Sequence, residues 1–465
     1  MKLLIYSWGL IYLDKKLSLS SYIVVGSMLF GLFFGAGNLI FPVHMGQEAG
    51  ANVSTATMGF LITAIGLPFL GVVAIGVSES SGLFDLAGRV HPLYGYVVTL
   101  LLYLTIGPFF ALPRTGTVSY EIGLAPFIPS QYGRLGLALF TIIFFLAALF
   151  FSLRPAEILT WVGKVLNPIF LIFLAVLIVT SIIHPMGIAA NEKIADAYAS
   201  APFFKGFLEG YNTMDALASL AFGIIVVRTL KELGVTSARG IAVGTVKSGI
   251  VTLLLMGLIY GCLAYVGATS VGKFPVSENG GIALAQITSY YFSSWGSILL
   301  AIIVTVACLK TAIGLITACS ETFYKLFPES LSYKNYVILF TIIACIVANV
   351  GLTQIILLSI PVLMFLYPLA IALIILGLLS RFFKNRQCVY VLTTLFTLFV
   401  SIADCINALP SAVKSIPVIQ HILKFYGNYI PFFNLGMGWV VPMFTGLILG
   451  FIICFFTNSK AETSV

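Results

Sequence analysis

Uncharged apolar runs long enough to form membrane-spanning helices recur along the whole chain, separated mostly by short polar links. A bilayer core takes roughly 20 apolar residues per helix, so a chain patterned this way folds as a bundle of membrane helices. Twelve spans fit, at 20–43, 52–77, 94–121, 135–152, 162–183, 206–227, 241–266, 297–323, 335–351, 353–379, 388–408 and 437–457. Composition excludes the soluble alternative: only 9% of the 465 residues are charged, against about 25% in a soluble domain. The expected fold is an all-α integral membrane protein with no soluble domain between spans.

The formal charge of +8 could suggest nucleic acid. The basic residues instead occupy short links, as topology signals do, so the partner of the surface is the lipid bilayer and nucleic acid is excluded. With the N-terminus inside, 15 Lys and Arg fall on the cytoplasmic side and 6 outside. That bias predicts a multi-pass protein with both termini in the cytoplasm. The seven cysteines fall mostly in apolar runs and the four histidines have no metal-ligand spacing, so no cofactor or resident metal is expected. The first 19 residues end their apolar stretch at Asp14-Lys15-Lys16. They are too short to span, and read as a cytoplasmic N-terminal segment, either interfacial or produced by a misassigned start. Two longer links, 268–296 and 409–436, remain; the second is apolar with spaced Lys and His, which predicts a helix lying on the membrane surface.

Two spans are poor continuous helices. The first contains Gly31, Gly35, Gly37, Asn38 and Pro42. Glycine costs about 1 kcal/mol against alanine in a helix interior. Gly31 and Gly35 alone fit close helix packing equally well. The cluster Gly35-Ala36-Gly37-Asn38 suits an unwound stretch, whose free N–H groups can hold a carboxylate and whose carbonyls can hold a cation. The sixth span is interrupted by Gly210, Asn212, Thr213 and Asp215. Matching breaks five spans apart point to a transporter built from inverted repeats, because an odd number of spans per repeat turns the second copy upside down.

Charge inside the spans is sparse. Arg114 and Glu121 in the third span are seven residues apart, nearly two turns on one helix face. They either snorkel at the external end or take part in gating or coupling. Lys310 lies more than ten residues from either end of the eighth span, roughly 15 Å at the helical rise. That is too deep to snorkel. It must face a polar cavity or an anionic partner, for which Asp215 is the nearest candidate by depth, in a functional or a purely structural ion pair.

GAGNLIFP at 35–42, GPFFALPRT at 107–115, GYNTMD at 210–215 and ACLKTAIGL at 307–315 together resemble the bacterial branched-chain amino acid:cation symporters, over about residues 20–457. The resemblance implies import of leucine, isoleucine and valine driven by Na⁺ or H⁺ across the bacterial inner membrane. It also implies a five-plus-five inverted repeat with broken helices 1 and 6, as in the bacterial leucine transporter. Residues 20–183 and 206–379 would be the repeats, and 388–457 peripheral. By the same resemblance, the N–H groups of Ala36 and Gly37 hold the substrate carboxylate beside a cation site helped by Asn38. Asn212, Thr213 and Asp215 wall the substrate and ion cavity. Carbonyls of Gly31 and Phe34 with Ala307 and Thr311 resemble a second sodium site. Lys310 departs from the pattern, since an ammonium next to Thr311 repels Na⁺; the alternative is a sodium-independent, proton-coupled or exchanger-type transporter that uses Lys310.

Two other classes fit less well. An intramembrane enzyme needs a polar catalytic set, yet no histidine lies in mid-span and Asp215 has no acidic neighbour in sequence. A channel needs a filter repeat or a ring of charges, and neither is written here.

Overall fold

The computed structural model describes residues 17–153, 167–235 and 237–462. Of the expected N-terminal segment only 17–19 are among them. Residues 162–166 of the fifth expected span lie outside, as do Arg154 and Lys164 of the charge count. The described residues form helices and connecting turns without a strand. Among the described residues seven helical stretches are long and apolar enough to cross a membrane, a bent pair makes an eighth, and four shorter apolar helices occupy further expected spans.

The first expected span is two helices, α1 (Leu19–Phe33) and α2 (Ala36–Ala49). Phe34 and Gly35 between them are extended, with φ/ψ of −72°/102° and −131°/−165°. The side chain of Asn38 fixes the restart by accepting the Gly35 N–H at 2.8 Å. Pro42 inside α2 has no N–H, so the Asn38 carbonyl loses its usual partner four residues on. α2 runs six residues beyond the expected end of this span.

The second span is α3 (Val53–Leu61) and α4 (Leu67–Val77), joined by one wide turn over Ile62–Gly66. The third is α5 (Pro92–Leu104) and α6 (Ala111–Gly123), separated at Gly107 and Pro108. There Gly107 leaves helical geometry and Pro108 lacks a donor. α7 (Gly133–Ser152) exposes Leu135, Leu139, Ile143, Leu146 and Phe150 along one side, the composition of a lipid-facing surface. α8 (Asn167–Ile183) follows.

The sixth span is α9 (Pro202–Glu209), a tight turn Gly210–Thr213, and α10 (Asp215–Glu232), bent by 48°. Met214 at the join is left-handed, with φ 60° and ψ 10°. A non-glycine residue there costs of order 1–3 kcal/mol unless its surroundings hold it, and Met214 is buried. α11 (Ala238–Ser270) is continuous. α12 (Gly280–Leu326) corrects the sequence reading: most of the expected link 268–296 is helical. Asn279 starts that helix by accepting the N–H groups of Gly281 and Ile282, and it turns at Ser293, φ 56°, into the eighth span.

α13 (Tyr333–Ala348), α14 (Leu352–Leu379) and α15 (Gln387–Asn407) follow. α16 (Pro417–Tyr429) is the helix expected in the second long link; it has no buried residue and carries Val418, Ile422, Phe425 and Tyr429 on one face. α17 (Val440–Glu462) ends the described chain and packs on α15.

Small residues let the helices touch backbone to backbone. Gly46 of α2 lies on the Ala264 carbonyl of α11, and Gly267 of α11 lies on the Val43 carbonyl of α2. Gly59 of α3 meets Phe203 of α9, and Gly206 of α9 meets Ala56 of α3. Gly71 of α4 meets Ser219 of α10, while Gly26 of α1 meets Ser248 of α11. Both halves of the first broken span thus pack on α11, and both halves of the other pack on α3 and α4. That exchange of partners is what two repeats related by an inverted two-fold require.

Candidate functional site

Residues singled out from both breaks meet in one buried cavity of about 60 Å³, lined among others by Gly35, Gly37, Asn38, Arg114, Asn212, Thr213, Asp215 and Thr311. By volume this is room for on the order of four waters. The first turn of α2 begins there at Ala36, and the first turn of α10 at Asp215. N–H groups of a first turn have no partner within the helix, and they carry the positive end of the helix dipole.

The two breaks are tied together. Asn38 Nδ2 donates to Asp215 Oδ2 at 2.6 Å and also contacts the Tyr260 hydroxyl. Tyr260 of α11 donates to the same carboxylate oxygen at 3.4 Å. Asn38 therefore spends both ends of its amide on the break, Oδ1 on Gly35 and Nδ2 on Asp215. The Thr213 side chain also interacts with the Asp215 carboxyl. The Thr213 hydroxyl closes the turn on the Gly210 carbonyl at 3.0 Å, and the Asn212 amide donates to Glu209 at 3.0 Å.

Arg114 does not snorkel. It is 3% exposed, donates from Nη1 to the Asn212 carbonyl at 2.8 Å and from Nη2 to the Ser359 hydroxyl, and lies 5.2 Å from the centre of the Phe41 ring. Among the described residues Nε has no partner, and no carboxylate lies within ion-pair distance. Beyond Asn212, a hollow of about 300 Å³ is lined by Phe41, His44, Glu48, Lys205 and Glu209, with Lys205 and Glu209 paired at 3.6 Å. Glu121 is not part of either hollow. It lies two turns along α6 from Arg114 and lines a separate surface pocket with Phe274, Gln286 and Tyr290.

The expected second ion site divides. Thr311 meets the α1–α2 break: a Cβ built on Gly35 would lie 3.3 and 3.4 Å from its side-chain atoms. Its hydroxyl donates to the Ala307 carbonyl at 3.2 Å. Gly31 and Phe34 stand on the last turn of α1 and its cap, with the Phe34 ring near Tyr260. Lys310 is the correction. It forms no ion pair with Asp215, nor a hydrogen bond with any described residue, and it does not line the cavity. Depth along a helix fixes height only; successive residues are rotated by about 100°, and Thr311 faces the break in place of Lys310.

Sequence reasoning missed Tyr260, Ser359 and Phe41. Each sits in an apolar run where one ring or hydroxyl leaves no periodic signal. A sequence pattern described as branched-chain amino acid transport protein matches residues 18–457. The chain is 48% identical to the branched-chain amino acid permease BrnQ of Lactobacillus delbrueckii subsp. lactis, over 93% of this chain and 96% of that one. It is 45% identical to BrnQ of Bacillus subtilis (strain 168), over 97% and 100%. Among solved structures, Mhp1 in an inward-facing conformation aligns with a TM-score of 0.56 at 15% identity, over 94% of this chain and 91% of that one. Mhp1, a nucleobase-cation-symport-1 family transporter, closed with bromovinylhydantoin bound, aligns at 0.58 and 15%, over 95% and 93%. Those two likenesses show the same fold. The chain belongs to the branched-chain amino acid transport protein family.

Proposed function

We propose that this protein imports leucine, isoleucine and valine across the bacterial inner membrane, coupled to a cation, by exposing one cavity alternately to either side. The observation that carries the reading is the meeting of the α2 and α10 first turns, Gly35–Asn38 beside Asn212–Asp215, around a single buried cavity. Broken helices that converge at mid-membrane bind a substrate's ionic groups with backbone dipoles. The substrate carboxylate takes the first-turn N–H groups of Ala36 and Gly37. The aliphatic side chain lies against the apolar part of the lining once the cavity has opened beyond its present volume of about 60 Å³. Residues 20–183 and 206–379 act as the two repeats, with both termini cytoplasmic.

The coupling ion is Na⁺ or H⁺. A sodium-free mode is favoured by Lys310, an ammonium adjacent in sequence to Thr311 and without an anionic partner among the described residues. Uptake of labelled leucine by proteoliposomes, with an imposed sodium or proton gradient in turn, tests both halves. Accumulation under one gradient supports the reading and names the ion. Absence of leucine uptake under either gradient refutes it.

A further inference from the structure

The cavity is lined by one cationic and one anionic side chain that do not pair with each other. Arg114 and Asp215 are 3% exposed each, and no ion pair joins them. Both line the same space. Arg114 meets neutral acceptors, the Asn212 carbonyl and the Ser359 hydroxyl. Asp215 meets only neutral groups, Asn38 and Tyr260 through Oδ2 and the Thr213 side chain. Two buried charges kept apart in this way cost desolvation without the mutual attraction that would offset it. Such an arrangement is stable when a ligand of complementary charge completes it.

The two charges also have distinct places. Arg114 donates to the Asn212 carbonyl, and a Cβ on Gly37 would lie 3.9 Å from that same oxygen. The guanidinium therefore stands beside the start of α2. Asp215 stands at the start of α10, held by Asn38 across the break. Apolar Ile106, Phe222 and Leu315 complete the lining. Positive, negative and apolar parts of one cavity are the complement of a zwitterion with an aliphatic side chain.

Building on the transport reading above, the geometry points to Arg114 and Asp215 as a divided charge receptor. Arg114 takes the substrate α-carboxylate together with the α2 first turn, and the Asp215 carboxylate takes the α-ammonium. Arginine suits the first role because its planar fork matches a carboxylate. Lys310 has no part in it, since it does not line the cavity.

The test uses the purified full chain in lipid nanodiscs and three probes: L-leucine, leucinamide, which lacks the carboxylate, and isocaproate, which lacks the ammonium. Competition against labelled leucine gives relative affinities. Wild type should prefer leucine over either analogue by at least about 30-fold, the loss expected when one partner of a buried charge pair is missing. Arg114→Gln should bring leucine and leucinamide within about threefold of each other while discrimination against isocaproate survives. Asp215→Asn should do the reverse. A general structural defect would lower all three affinities and leave the ratios alone, and that outcome overturns the assignment. So does wild-type selectivity in either variant. If Arg114→Gln does not fold, Arg114→Lys replaces it: the charge remains, so leucine should still outrank leucinamide at reduced affinity, and loss of that order counts against the receptor. Absence of leucine binding and uptake in wild type would refute the transport reading itself, before the variants are compared.

Discussion

Asn38 Nδ2 lies 2.6 Å from Asp215 Oδ2, joining two helix breaks that are 177 residues apart in the chain. Because Oδ1 of the same amide holds the Gly35 N–H, one side chain fixes both the shape of the first break and its distance from the second. Asn38→Ala removes both bonds, and a hydrogen bond to a charged group is worth about 1.5–3 kcal/mol. The expected result is a fall of at least about tenfold in apparent leucine affinity, measured by saturation uptake in proteoliposomes. Tyr260→Phe should fall less, and the double variant should be less than additive because the two residues share Asp215.

Gly37 faces the cavity. A Cβ there would come within 3.1 Å of the Phe41 ring, and a branched side chain would block close approach of a ligand to the α2 first turn. Gly37→Val should reach the membrane in normal amount and lose leucine uptake by about 100-fold or more. Unchanged apparent affinity would remove the α2 start from the binding site.

Lys310 gives an ionic prediction. Lys310 is off the cavity lining while its neighbour Thr311 is on it, so its charge acts on a cation there through the field across one helix turn and not by direct contact. Wild-type leucine counterflow should persist in sodium-free buffer. Lys310→Thr should slow it or make it respond to sodium. Strict sodium dependence of the wild type, unaltered in the variant, contradicts this.

Selectivity should follow the shape of the cargo. A difference of one methylene in an apolar pocket changes affinity by only about 1–3 kcal/mol, so leucine, isoleucine and valine should compete with one another. Glutamate and lysine add a charge for which the apolar lining has no partner, and excess of either should leave leucine uptake unchanged. Inhibition by glutamate equal to that by isoleucine would contradict the substrate class.

A packing prediction is independent of ligand. A Cβ on Gly206 would enter the Ala56 carbonyl, and no flexible side chain can yield there. Gly206→Val should destabilise the protein by several kcal/mol, read as a lower melting temperature in detergent and poor recovery from membranes. Gly133→Ala, where a Cβ meets nothing within 4 Å, should change neither.

The helices and both breaks were legible because they depend on local composition. Apolar length marks a span, and clustered glycine beside Asn38 or Asp215 marks an interruption. Buried charge was legible for Arg114 as a residue in a membrane run, while its environment was not. Whether an arginine snorkels or turns inward depends on the tilt and rotation of α5 and α6 at Gly107 and Pro108, which sequence does not encode locally. The pairing of Lys310 with Asp215 failed for the same reason, since rotation about the helix axis decides which neighbour is met. Tyr260 reaches Asn38 from 222 residues away, beyond any spacing rule. The helical part of the link 268–296 carried its own start signal in Asn279.

The reciprocal glycine contacts have a mechanical consequence. Gly46 on the Ala264 carbonyl and Gly267 on the Val43 carbonyl clamp α2 to α11, Gly59 on Phe203 and Gly206 on Ala56 clamp α3 to α9 at backbone range, and Gly71 on the Ser219 side chain joins α4 to α10. Gly107 against the Cys319 side chain and Gly123 against Ala301 bring the third span onto α12. Backbones in direct contact cannot slide without climbing over one another, so each group behaves as one stiff block. The seam between blocks passes through the cavity and is crossed by such contacts at Gly35 on Thr311 and Gly280 on Ile40. Motion of one block against another therefore has to part the contacts of Gly35 with Thr311 and of Gly280 with Ile40, the first of them on the cavity lining.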